Sequence, residues 1–252
     1  METKYIFAQS IVLSAGDFLR QHLNDTLKIE EKASAKDLVT HLDKEVQEFL
    51  TTKIKSDYPN DFILGEEGGD VSSILHGNVW VIDPIDGTSN FIAQKNDFAI
   101  MLAYFENGVG QFGLIYDVIH EKLFHGGAAL PVYCNDKSLK KPTYSSLQQS
   151  LMGLNAQLYA ANQHGLADLA NQTLGTRSVG SAGIGFSHVL EGRLFAYASY
   201  LYPWDYAAAS ILGQGLGFSL LSLEANQPSF DKREHVILVA NQHLEEVKRY
   251  LF

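Results

Sequence analysis

Residues 80–91 read WVIDPIDGTSNF. An apolar run, Trp80-Val81-Ile82, ends in two aspartates, Asp83 and Asp86, with Pro84 between them and Gly87-Thr88 after. A hydrophobic strand has no need of two carboxylates at its exit. Pro84 fixes φ and withholds a backbone donor, so the chain turns there, and Gly87 permits a tight return. Asp83 stands at the carboxyl end of a strand, where open sheets place their ligands. The two carboxylates and the Ile85 carbonyl can converge on one point, and converging hard oxygens suit Mg²⁺. The same aspartates also suit a turn that caps a helix starting at Thr88-Ser89-Asn90.

Two further acidic stretches share this character. GEEGG places Glu66 and Glu67 at the end of the short strand FIL, before a double-glycine turn. YPWDYAAAS places Asp205 beside Trp204, where a helix of small residues begins. Taken singly, the first reads as a solvated acidic loop and the second as a helix cap. Together they are acids at element ends beside apolar residues. Gathering them without a cation would leave like charges repelling one another.

Around these stretches the chain is ordered as helices first and adjacent strands next. Ile6, Phe7, Ile11, Val12, Ala15, Phe18 and Leu19 recur at helical spacing, which predicts an amphipathic N-terminal helix rather than a signal peptide. KIEEKASAKD reads as a mobile loop. A second helix is expected over about 40–56, with Leu42, Val46, Phe49, Leu50 and Ile54 on one face. The runs 98–105 and 109–116, joined at ENG, predict a hairpin, with KLFHGG as a third strand. That is α+β layering rather than strict β-α-β alternation. The polar segment NDKSLKKPTYSSLQQ reads as a passage between two halves, 1–140 and 141–252. The second half predicts strands near 150–155, 194–198, 217–223 and 236–240. Its helices are expected near 160–174, from GSAG, from PWDYAAASIL and from 241.

Composition narrows the function. The chain has 252 residues, 46% hydrophobic and 19% charged, ordinary for a globular enzyme. Its formal net charge of −10 and lack of a basic tract argue against a nucleic-acid polymer as partner. No apolar run approaches the ~18 residues of a membrane span. Cys134 is the single cysteine, so neither an intrachain disulfide nor a cysteine zinc cluster is available; a cytoplasmic setting is expected. The spacing of Asp83 and Asp86 is D-x-x-D, not the D-x-D of haloacid-dehalogenase-type phosphatases. An EF-hand loop starting at Asp83 would need Gly and Glu where Thr88 and Gln94 stand. There is no P-loop motif and no His-x-x-x-His pair.

GEE, WVIDPIDGTSNF and PWDYAAA, in this order, resemble the inositol monophosphatase family of metal-dependent phosphatases. KDLVTHLDKEV and RSVGSAG resemble further segments of that family, so the likeness spans nearly the whole chain. It implies a layered αβαβα sandwich with metals where the two halves meet. By match to the motifs, Glu66, Asp83 and the Ile85 carbonyl would bind a first Mg²⁺, and Asp83, Asp86 and Asp205 a second. A third, weaker ion would lean on Glu66 and waters. Mn²⁺ is an alternative ion and Li⁺ an inhibitor by the same resemblance, and a homodimer is the usual assembly. Asp43 and Thr88 match an Asp/Thr pair that positions the attacking water, with Glu66 the third catalytic residue. Without the resemblance, Asp43 reads as a surface residue of the second helix. Lys32 matches a first-loop lysine. Asp86, Gly87, Thr88, Gly180, Ser181, Ala182 and Asp205 would contact a small phosphorylated substrate.

One departure bears on that substrate. Family members specialised for inositol phosphate carry a glutamate about seven residues before the aspartate of the Trp-Asp pair. Here RLFAYASYLYPWD holds Ala198 or a neighbour there, with no acid between Arg193 and Asp205. The aromatic residues Phe195, Tyr197, Tyr200, Tyr202 and Trp204 read either as core packing or as a flatter pocket suited to an adenine or nicotinamide. The family also includes phosphatases of fructose 1,6-bisphosphate, 3′-phosphoadenosine 5′-phosphate and NADP. A non-catalytic phospholigand-binding protein on the same scaffold is the reading from another class.

Overall fold

The computed structural model describes residues 1–31, 38–127, 129–143, 146–225 and 227–251. Lys32 and the rest of the 32–37 segment lie outside the described residues. Helix α1 (Glu2–Gln21) leads to strands β1 (Ile29–Glu31) and β2 (Leu38–Thr40), then α2 (His41–Asp57) and strands β3 (Phe62–Gly65) and β4 (Asn78–Asp86). Helix α3 (Thr88–Gln94) precedes β5 (Ala99–Glu106), β6 (Val109–Asp117), β7 (Lys122–Gly126), β8 (Tyr133–Cys134) and β9 (Lys137–Ser138). The remainder is β10 (Leu151–Leu154), α4 (Ala156–Ala160), α5 (Leu166–Ala170), β11 (Gly175–Arg177), α6 (Ala182–Leu190), β12 (Ala196–Leu201), α7 (Pro203–Gly215), β13 (Phe218–Ser222), β14 (Glu234–Ala240) and α8 (Leu244–Leu251).

A seven-stranded sheet runs in the order β3-β4-β5-β6-β7-β8-β9 and a five-stranded sheet in the order β11-β10-β12-β14-β13. Strand alternation divides the core into layers, because successive side chains point to opposite faces. On β5, Ile100, Leu102 and Tyr104 face one way and pack with Val12, Leu42, Val46 and Leu50 of α1 and α2. Ala99, Met101, Ala103 and Phe105 face the other way, onto Ile184 and Phe186 of α6 and Ala207, Ala208 and Ile211 of α7. Val236 and Leu238 of β14 close the same cluster from beyond those helices. The opposite face of β14, with Ile237 and Val239, meets Leu166, Leu169, Val247 and Leu251 of α5 and α8. The order is therefore helix, sheet, helix, sheet, helix, the five-layer sandwich implied by the resemblance.

Several local expectations change. Residues 29–31, read as loop, pair antiparallel with 38–40. Ile6, placed on the apolar face of α1, is solvent-exposed. The single helix expected near 160–174 is broken into α4 and α5. Asn162, His164 and Gly165 all adopt positive φ there, and a Cβ on Gly165 would lie 2.1 Å from the Tyr250 carbonyl oxygen. The turn thus lets the chain approach the C-terminal helix at a distance that only glycine allows. β12 runs to Leu201 rather than ending at 198, and a 3₁₀ turn (Asn241–His243) precedes α8.

Candidate active site

The pairing of β4 with β5 places the aspartates. Asp83 lies opposite Met101 and Asp86 opposite Ala99, so three steps on β4 match two on β5. In a regular strand a D-x-x-D pair points to opposite faces. The extra residue, at Pro84-Ile85, is a bulge that returns Asp86 to the face of Asp83, because directly opposed residues of an antiparallel pair share a face. Met101 and Ala99 both face α6 and α7, and so do the carboxylates.

The two helices complete the cluster from the other side. Asp205 is the third residue of α7 and accepts a hydrogen bond from the Tyr202 amide at 2.8 Å. Asp205 is thus not the N-cap residue that its sequence setting suggests, since Tyr202 takes that place; it bonds back to the cap amide from the third position, and the same residue also reaches the cluster. One carboxylate oxygen each from Asp83, Asp86 and Asp205 lie within 4.8 Å of one another. Asp86 accepts from the Ala182 and Gly183 amides at 2.9 and 2.7 Å and from the Ser181 hydroxyl. The carboxylate thus sits on the N-terminus of α6, where amides and helix dipole favour it. Of the residues expected to contact substrate, Ser181 is engaged with Asp86 through its hydroxyl, and Ala182 bonds Asp86 through its amide while also lining the cavity described below. Gly180 lines the same cavity.

Glu66 follows β3, its amide bonded to the Ile82 carbonyl at 3.1 Å, and its carboxyl is a hydrogen-bonding neighbour of Asp83. Asp43 is not a surface residue but fully buried. It accepts from the Thr40 amide at 2.9 Å and the Thr40 hydroxyl at 2.5 Å, and from the Thr88 hydroxyl at 3.1 Å. That hydroxyl also lies 3.1 Å from the Ile85 carbonyl oxygen. Gly87 holds φ +87°, and a Cβ there would lie 2.8 Å from that of Ser181; glycine lets β4 turn into α3 beneath α6. Thr40, absent from the expected residues, is signalled by its position as a cap three residues before Asp43.

The charges report what the cluster lacks. Burial pushes the Asp43 carboxyl up to about 6, against the lowering effect of Thr40. Burial also raises Asp86 to about 6, against its bonds from Ser181, Gly183 and Ala182. Asp83 and Asp205 are raised well above the usual range by burial and by the neighbouring carboxylates of Glu66 and Asp86. Asp83 Oδ1 is buried with no hydrogen-bond partner, a costly state for a charged oxygen. An oxygen without a donor among mutually repelling acids fits a divalent cation, which takes oxygen ligands.

The match extends over the chain. A model of the inositol monophosphatase family matches residues 1–251. The chain belongs to that family. Inositol-1-monophosphatase of Bacillus subtilis is 38% identical over 245 residues, covering 95% of this chain and 92% of its own. A staphylococcal IMPase-II solved with 2′-AMP is 30% identical, with a TM-score of 0.88 over 99% of this chain and 94% of that one. An IMPase/NADP phosphatase solved with Mg²⁺ and phosphate is 26% identical, with a TM-score of 0.89 over 99% of this chain and 95% of that one. Inositol monophosphatases are Mg²⁺-dependent phosphoric monoester hydrolases, and this chain is an enzyme of that class.

In this inositol monophosphatase relative, a cavity of about 330 Å³ opens over Asp86 and Asp205, with Asn155, Ser178, Ser199 and Arg233 on its walls. Of the residues expected near the position of the missing glutamate, Ala198 and its neighbour Ser199, only the second meets the cavity. Ala198 faces away, into the cluster shared with α5 and α8, and Ser199 faces the cavity. Of the aromatic group, Phe195 is a core residue and Tyr197 is buried yet borders the cavity with Tyr200, while Tyr202 and Trp204 lie outside its walls. Tyr202 and Trp204 are stacked, centroids 4.8 Å apart. Arg233, in the charged run DKREH and unmarked by any motif, lies 4.5 Å from the Tyr200 ring and 5.0 Å from the Tyr202 ring. Its guanidinium donates to the Tyr200 carbonyl at 3.3 Å. No helix among the described residues is long and apolar enough to cross a membrane.

Proposed function

We propose that this chain hydrolyses a small phosphate monoester by in-line attack of water at a Mg²⁺ centre built on Glu66, Asp83, the Ile85 carbonyl, Asp86 and Asp205. The observation that carries the reading is the convergence of Asp83, Asp86 and Asp205 around the unpartnered Asp83 Oδ1. When bound, Mg²⁺ supplies positive charge for the phosphate and its leaving oxygen and acidifies the attacking water. Asp83 would bridge two ions, and Asp86 would be held in place by the α6 amides. Thr88 would position the water through its hydroxyl, oriented by the buried Asp43 carboxylate. The Gly87 and Thr88 amides at the start of α3 would face the phosphate. The cytoplasm, a homodimer, and a division between 1–140, with most ligands, and 141–252, with Asp205 and substrate contacts, belong to the same proposal. The test is phosphate release from a panel of monoesters with Mg²⁺, with Mn²⁺, with Li⁺ added, and with chelator. Absence of Mg²⁺-stimulated release from every substrate, alongside tight ligand binding, would instead assign a binding protein.

A nucleotide as substrate is the second reading. Arg233 between Tyr200 and Tyr202, beside Asp205 in one cavity, offers a cation and planar faces to a substrate larger than a sugar phosphate. With no acid between Arg193 and Asp205 and Ser199 on the cavity wall, the site lacks the further glutamate that inositol-specialised members carry. The staphylococcal relative solved with 2′-AMP shows a fold of this kind holding a nucleotide. Comparing kcat/KM for NADP, 2′-AMP, 3′-phosphoadenosine 5′-phosphate and inositol 1-phosphate decides it, and a strong inositol phosphate preference refutes it.

A further inference from the structure

Against the Tyr200 ring, through the stacked His235, lies a second cluster of ligating groups. His164 Nε2 is 3.4 Å from His235 Nδ1, and His235 Nδ1 is 2.6 Å from Glu224 Oε1. Among the described residues, one ligand atom each from His164, Glu224 and His235 lie within 4.8 Å of one another, the only such group besides the aspartates. We propose that His164, Glu224 and His235 form a binding site for a transition-metal ion of the Zn²⁺ class, separate from the Mg²⁺ centre.

The donor set is the first argument. Two imidazoles and one carboxylate suit Zn²⁺, Co²⁺ or Ni²⁺, whereas Mg²⁺ takes oxygen ligands. Spacing is the second. Two nitrogens bound at about 2.0–2.1 Å to a tetrahedral ion stand about 3.3 Å apart, and the two imidazole nitrogens here are 3.4 Å apart; Glu224 Oε1, now 2.6 Å from His235 Nδ1 as its hydrogen-bond partner, would swing outward by roughly 0.7 Å to take its own place on the ion. The third concerns hydrogen bonding. His235 Nδ1 has a single in-plane position, yet both Glu224 Oε1 and His164 Nε2 are directed at it. One N–H can serve both only as a shared donor, while an ion gives each of the three atoms its own bond.

The three residues are held in place by the fold. His164 sits in the turn between α4 and α5 at φ +51°. That turn is fixed by Asn162, whose side-chain oxygen accepts from the Ala167 and Asp168 amides at 2.9 and 3.2 Å. Glu224 follows a bond from the Leu223 amide to the His235 carbonyl at 2.8 Å. The His235 ring stacks on Tyr200 with centroids 4.3 Å apart. An ion here would pin the α4–α5 turn to the end of the five-stranded sheet and brace Tyr200, a wall of the substrate cavity. Ligands at open positions would be water, since Glu224 is exposed.

The test uses the full chain with Mg²⁺ at saturation and Co²⁺ as the probe, read by equilibrium dialysis and visible absorption. The expected result is one Co²⁺ per chain, displaced by Zn²⁺, with the visible bands of a low-coordinate nitrogen site. His164→Ala and Glu224→Ala should each weaken it by at least about 100-fold, beyond the range seen when only a supporting neighbour of a ligand is removed. Asp83→Asn should keep the site, which separates it from the catalytic carboxylates and from the fate of the phosphatase reading. Unchanged Co²⁺ binding in His164→Ala, or no Co²⁺ bound by Asp83→Asn, overturns the proposal and leaves a hydrogen-bonded His-Glu pair.

Discussion

Asp83 and Asp86 stand three positions apart on β4 and face the same side of the sheet, because a bulge at Pro84-Ile85 absorbs one residue between Met101 and Ala99 of the neighbouring strand. The D-P-I-D spacing is thus a statement about strand register. Without the bulge, one carboxylate would point toward α1 and α2, onto the side chains of the largely apolar cluster there. With it, both meet Asp205 and the N-terminus of α6.

Asp83→Asn is the most direct probe of this arrangement. The change keeps the volume of the side chain and removes one of the mutually repelling charges. Turnover should vanish to background on every monoester, while the metal-free protein should melt no lower than wild type. Near-wild-type turnover on any substrate would show that Asp83 does not hold the ion.

The pH dependence of metal-free stability follows from the raised carboxyls. Asp43 and Asp86 are at about 6 in the folded protein, above the ~3.9 of an unfolded aspartate. Protons therefore bind the native state more tightly than the unfolded one. This contribution is fully present below about pH 4 and is lost as pH rises through about 6, and Asp83 and Asp205 extend the loss upward. In chelator, Tm should fall between about pH 5 and about pH 8, and Mg²⁺ should remove most of that fall. A metal-free Tm that rises with pH over this window, in wild type relative to Asp83→Asn, contradicts the assignment.

The pair Thr88 and Asp43 is expected to act through geometry. Thr88→Ala removes the hydroxyl 3.1 Å from Asp43 and should lower kcat by about 100-fold with little change in KM, the lower end of what a positioned proton-transfer group contributes. Thr88→Ser restores the hydroxyl and should recover most of the rate. Failure of serine to rescue would point to lost packing instead.

Arg233→Ala tests substrate choice. If the guanidinium between Tyr200 and Tyr202 meets a nucleotide, kcat/KM for 2′-AMP or NADP should drop about tenfold, the value of one exposed-to-buried cation contact. Inositol 1-phosphate turnover should change far less. Equal losses on both substrates would place Arg233 in the common phosphate site.

The sequence carried some of these features openly and hid others for physical reasons. α1 and α2 are periodic in their own residues, and β5 and β6 are continuous apolar runs joined at a turn signal, so these elements are written locally. The acids at Glu66, Asp83, Asp86 and Asp205 stand out because each follows an apolar run or opens a helix. The bulge is invisible locally, since it depends on which residue of β5 lies opposite. β1 has three exposed residues, Ile29-Glu30-Glu31, and no alternation to betray a strand. The α4–α5 break follows from the close approach of Gly165 to Tyr250, 85 positions away. Arg233 and Thr40 gain meaning only from their neighbours in space.

The same dependence on distant partners underlies the last prediction, which concerns stability alone. Asp61 is buried beneath α1, paired with Lys4 and accepting from Asn78 at 3.0 Å and from the Trp80 indole at 2.9 Å. The Lys4 ammonium lies 4.4 Å from the Tyr104 ring and 4.7 Å from the Tyr58 ring. Asp61→Ala leaves that ammonium without its carboxylate and the indole N–H without an acceptor. Breaking one partner of a buried pair costs about 3–5 kcal/mol, or roughly 10 °C in Tm for a chain of this length. Because Lys4 is nearly buried among aromatic rings, Lys4→Met combined with Asp61→Leu should recover much of the loss. Thermal melts of the single and double variants in Mg²⁺ measure both, and a drop under ~1 kcal/mol for Asp61→Ala would show that water enters and satisfies the site.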